Sequence, residues 1–155
     1  MAKKKCMNEE IIGITKTITN SSKPLHKFDV KLYAEYETGW AHIIAKNTKE
    51  LNTHQLRKFF SKVKEIEYKT QSHSQEADAW NQIEGEFIFL KPQLASSVGR
   101  GHMDICFFDF LMAIMDKVED SDNPEEKYEN FKTFVKFFEA IVAYKKYEEL
   151  DSKNR

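Results

Sequence analysis

Five histidines, two cysteines and one spaced pair of aspartates are the residues of this 155-residue chain best suited to bond-making chemistry, and their spacing argues against it. His26, His42, His54, His73 and His102 show no paired ligand spacing, so each reads as a surface or capping residue. Cys6 and Cys106 are too few for a disulfide scaffold or a cysteine zinc site, and Cys106, set in Asp-Ile-Cys-Phe-Phe, reads as a small buried apolar residue. Asp109 and Asp116 stand about 10 Å apart along a helix, too far to share a proton as an acid–base pair. They read as a polar seam. Asp120, Asp122 and Glu125 lack the central glycine and the later acidic ligand of a calcium loop. There is no glycine-rich phosphate loop, no Gly-x-Ser-x-Gly and no His-Glu-x-x-His. The reading is a protein that is not an enzyme, with no cofactor and no metal site.

The rest of the chain is patterned for packing. Hydrophobic residues make up 41% and aromatics 13%, enough for one core, while 5 Gly and 3 Pro are too few to punctuate a β-sandwich. Helical spacing of apolar residues runs over Glu9 to Asn20, Phe28 to Lys46, Asn52 to about Ser72, Glu76 to Leu90, His102 to Val118 and Asn123 to about Leu150. Gly39 interrupts the second run, Asn52 and Gln55 form a capping-box pair, Pro92 must start, kink or end a helix, and Gly99-Arg100-Gly101 forms a turn. The stretch from His102 to Val118 is apolar nearly all round and should be central. The expected fold is all-α: a single compact bundle of about five helices over residues 9–150, with a poorly ordered basic tail over 1–8 and a flexible C-terminus over 151–155.

Net charge is −1, but it divides along the chain. Residues 1–31 carry seven lysines against three acids, and residues 46–69 carry seven cations against three acids. Residues 72–89 hold four acids and no Lys or Arg, and residues 104–130 hold nine acids against two lysines. Any one of these runs reads as a solvated helix face; taken together they also allow a chain that meets an anion on one face and copies of itself with the other. No secretory leader and no apolar run of membrane-spanning length is visible, so a soluble cytoplasmic protein with no membrane partner is expected.

Three segments, in order, resemble one family. Leu51-Asn-Thr-His-Gln-Leu-Arg-Lys-Phe-Phe60 resembles the Leu-Thr-Thr-x-Gln-Ile-Arg-Lys segment of the small subunit of the type III-A CRISPR effector (Csm) complex. Leu90-Lys-Pro-Gln-Leu-Ala-Ser-Ser-Val-Gly-Arg100 is similar to its Leu-x-Pro-x-Leu-Ala-Tyr-x-x-Gly-Arg segment, and Phe138-Glu-Ala-Ile-Val-Ala-Tyr-Lys145 to its C-terminal helix. Where that family often has an aromatic, this chain has Ser96. Residues 1–50 show no comparable match.

The resemblance implies a non-catalytic subunit, present as stacked copies beside other Csm subunits, lining the guide RNA–target RNA duplex in antiviral interference. Of 24 cations 21 are lysines, and the two internal arginines, Arg57 and Arg100, fall inside the first two motifs. A guanidinium fork suits phosphate as an ammonium does not. The expected RNA-binding strip is Gln55, Arg57, Lys58, Lys62, Lys64, Lys91 and Arg100, reading backbone and not base edges, with the first-turn amides near Thr53 to Gln55 adding positive charge. An internal ion pair is the alternative role for either arginine. The alternative for the whole protein is a self-associating scaffold with no direct RNA contact. The apolar faces of His102–Val118 and Phe131–Tyr144 suggest a homodimer of the isolated chain.

Overall fold

The computed structural model describes residues 5–51, 53–101 and 103–153. The first helix, α1 (Glu9–Asn20), starts at Asn8, whose side chain accepts from the Ile11 N–H, and buries Ile11, Ile14 and Ile18. β-Branched residues are mediocre helix formers, but burying each isoleucine is worth about 1.5–3 kcal/mol. Packing wins. A 3₁₀ turn at Leu25–Lys27 follows Pro24.

The stretch read as one helix from Phe28 to Lys46 is two, α2 (Val30–Ala34) and α3 (Trp40–Asn47). Between them Glu37 adopts φ 65°, and the backbone folds so tightly that a Cβ on Gly39 would lie 2.5 Å from the Glu35 carbonyl oxygen. His42 locks the corner from inside. Its Nδ1 accepts from the Glu37 N–H at 2.8 Å, its Nε2 donates to Glu148 at 2.6 Å, and its ring stacks on Tyr144 at 4.4 Å. His42 is thus a buried structural residue, where a surface or capping role was expected.

Four longer helices follow: α4 (Thr53–Tyr68), α5 (Glu76–Gly99), α6 (Ile105–Val118) and α7 (Pro124–Lys153). Of the expected stripe Leu56, Phe59, Phe60, Val63 and Ile66, α4 buries all but Phe60, which is partly buried against the core. α5 continues past Leu90 and through Pro92 to Gly99, so Pro92 neither starts nor ends a helix; it sits on the exposed side, where water can serve the carbonyl left without a donor. It ends as read, with Arg100 as C-cap and Gly101 at φ 72°. α6 starts at Asp104, whose carboxylate accepts from the Cys106 and Phe107 amides. α7 starts at Asn123, which accepts from Glu125 and Glu126, and continues past residue 150. The roles read for Asn52 and His102 lie outside the described residues.

Among the described residues there are therefore seven α-helices and no strand, against the expected five helices. The hub is α7, which packs on α3, α4, α5 and α6. α6, expected to be central, is wrapped by α1, α5 and α7. Phe107, Phe110, Ile114, Phe131, Phe134, Phe137 and Phe138 are all buried within this one chain. The apolar faces assigned to a dimer are consumed by the core.

Two further sequence expectations change. Cys106 is buried but not free: it is joined to Cys6 in a disulfide that spans 100 residues. Packing of α1 on α6 brings the two sulfurs together, which spacing along the chain cannot reveal. Of the expected basic tail, Cys6 and Asn8 are thus anchored, while residues 1–4 lie outside the described residues. Two lysines are buried as caps. Lys117 donates to the Ser21 carbonyl at the end of α1, and Lys145 donates to the Ala45 and Thr48 carbonyls at the end of α3. Burial pushes the Lys145 ammonium below its ordinary pKa.

Candidate nucleic-acid interface

α4 and α5 both lean on α7, and their facing surfaces leave a groove of about 520 Å³. Lys58 and Lys62 are one turn apart on α4 and project into it with Gln55 and His54. From α5 come Phe89, Gln93, Ser96 and Arg100, spaced along one helical face, with Phe59 and Met103 beneath. No Asp or Glu lines the groove among the described residues. Lys62 reaches across to the Gln93 side-chain oxygen at 3.3 Å, and a 2.9 Å ion pair between Lys69 and Glu86 ties α4 to α5 farther along.

The expected strip of seven divides on this geometry. Gln55, Lys58, Lys62 and Arg100 share the groove. Arg57 faces the other side of α4, in a cleft with Lys146 and Glu149 from α7. Neither Arg57 nor Arg100 makes an ion pair among the described residues. Lys64 is bonded to Glu67 at 2.6 Å, which holds its ammonium above the ordinary pKa, and lies over the Phe60 ring. Lys91 pairs with Asp116 at 2.6 Å and tethers α5 to α6. Lys64 and Lys91 are therefore outside the shared surface.

The start of α4 also differs from expectation. The Thr53 N–H donates to the Glu149 carboxylate at 2.9 Å, so α7 already supplies an anion to these first-turn amides. Phosphate gains nothing there. The residue missed by sequence reading is Phe89, 61% exposed on the groove wall. Its signal was its position off the Trp80, Ile83, Phe87 and Leu90 stripe, which marks an aromatic with no place in the core. No group of three or more His, Cys, Asp or Glu is placed to hold a metal ion among the described residues.

The family described as Csm2 Type III-A matches the chain over residues 31–150. No curated protein and no solved structure matches it.

Proposed function

The chain belongs to the Csm2 type III-A family and is a small subunit of a type III-A CRISPR effector complex; from that premise we propose that it lines the guide RNA–target RNA duplex through its α4–α5 groove, without catalysis. The observation that carries this reading is convergence of Lys58, Lys62 and Arg100 on one groove whose own lining holds no carboxylate, Glu65 and Glu86 lying in the adjoining cleft beyond Lys62 and Phe89. Phosphate can replace water around these cations without displacing a protein anion. A guanidinium at the groove end adds a two-pronged donor, and two ammonium groups a turn apart follow a backbone. Contacts of this kind hold RNA in place while the guide sets the sequence.

The test is binding of single-stranded RNA across a salt series, by the subunit alone and in the assembled complex. Arg100→Ala and Lys58→Ala should each weaken binding and flatten its salt dependence. Wild-type binding by the double variant would refute the groove.

A second reading, assembly without RNA contact, draws on a different surface. Tyr36, Tyr147 and Leu150 are 49%, 45% and 53% exposed, and the two tyrosine hydroxyls lie 3.0 Å apart. This patch, where the corner between α2 and α3 meets the end of α7, suits a neighbouring subunit or a stacked copy. With the larger apolar faces buried internally, self-association is proposed for copies inside the complex, through this edge. Leu150→Asp that breaks assembly while leaving RNA affinity intact would favour this reading. Work in the cytoplasm accords with both readings, and no helix among the described residues is long and apolar enough to cross a membrane.

A further inference from the structure

Resting on the RNA reading above, we propose that the groove is also a base-stacking site: an unpaired RNA base lies on the Phe89 ring, its flanking phosphates on Lys58 and Arg100. All twelve phenylalanines lie among the described residues, and Phe89 is the one classed as exposed. Its ring makes no aromatic contact with any described residue and is 61% exposed, which leaves surface for a planar ligand. An apolar protein partner alone would leave Lys58, Lys62 and Arg100 without counterions. A free phosphate would leave the ring uncovered. Single-stranded nucleic acid carries both a flat π face and a phosphate chain, and is bound elsewhere in nature by this pairing of aromatic platform and cationic groove.

The neighbours suit any base. Ser96 is an exposed hydroxyl on the same α5 face, and Gln93 presents an amide, so donors and acceptors are present without a fixed code. The volume, about 520 Å³, has room for a nucleobase. Stacking is tolerant of sequence because every base has a π face, so it does not conflict with a guide that sets specificity.

The experiment uses the full-length chain with three probes of equal length: oligo(A), oligo(U) and an abasic ribose-phosphate oligomer. Wild type should bind oligo(A) about tenfold tighter than the abasic oligomer, within the range seen for one stacked base. Phe89→Ala should remove that preference and leave the salt slope unchanged, while Phe89→Trp should keep it and show fluorescence quenching by oligo(A). Arg100→Ala should weaken all three probes. If Phe89→Ala behaves like wild type while Arg100→Ala is weakened, stacking is overturned and backbone binding stands. If neither variant changes RNA binding, both readings fall. If Phe89→Ala alters only assembly with other subunits, Phe89 is a protein contact and the inference is overturned.

Discussion

An arginine on a helix shoulder is available to phosphate only where no carboxylate has reached it, and Arg57 and Arg100 differ on that point. Arg57 shares its cleft with Glu149, whereas Arg100 opens onto a surface without acids. Arg100→Ala should therefore reduce the salt slope of RNA binding by about 0.7 to 0.9, with a smaller effect from Arg57→Ala. Lys64→Ala and Lys91→Ala should leave RNA affinity unchanged, since Glu67 and Asp116 hold those ammonium groups. Fluorescence anisotropy across a salt series separates these cases. The sequence could identify the cations but not all of their sides: Glu67 stands three residues from Lys64 on the same helix, a local pair, but Asp116 beside Lys91 and Glu149 in the Arg57 cleft are brought there by tertiary packing. Glu119 provides a test of a different kind. It is the C-cap of α6, its Oε1 is buried with no hydrogen-bond partner among the described residues, and burial raises its carboxyl pKa. The folded state thus favours the proton, and its contribution is present below about pH 4.5 and lost as pH rises through the raised value. Glu119→Gln should add about 0.5 kcal/mol at pH 7, as for a charge removed from the wrong helix end, and nothing at pH 3.5. Thermal melts at the two pH values would show it.

At the level of helices, local signals were strong wherever local chemistry decides. α1 has the expected bounds, and the Asn123-Pro124 start and Gly99–Gly101 stop are as read. The corner between α2 and α3 was less legible, because apolar spacing continues through it while the break depends on His42 reaching Glu148. Gly39→Ala should cost about 1–3 kcal/mol, the range for overpacking, since the added methyl meets backbone and cannot be relieved by a rotamer. Gly13→Ala, inside α1 with open space around it, should instead stabilise by about 0.5–1 kcal/mol. Urea melts of the two variants should move in opposite directions. The Cys6–Cys106 link clips the start of α1 to α6 across 100 residues, so Cys6→Ser should cost about 2–4 kcal/mol under oxidising conditions. Addition of a thiol reductant should bring wild type to the same midpoint. A reducing compartment would favour the dithiol form, and thiol titration of freshly isolated protein measures which form is present.

For the whole molecule, the −1 net charge conceals an arrangement that matters more than its sum. Acids of α5 and α6 are partly spent on lysines: Glu84 holds Lys127, Glu76 holds Lys132 and Asp116 holds Lys91. The α4–α5 groove is where cations gather without such partners lining it. The separation of basic and acidic segments was visible in sequence, but which cations remain available depends on how α4, α5 and α7 meet. Long-range packing also decided the fate of the apolar surplus, much of which went into the core around α7. Photocrosslinking of RNA in the assembled complex, with modified residues mapped by mass spectrometry, tests the central claim most directly. The account predicts adducts on the segments around Lys58–Lys62 and Phe89–Arg100. Adducts confined to the acidic stretch 104–130, or to the Tyr36–Tyr147 edge, would contradict it.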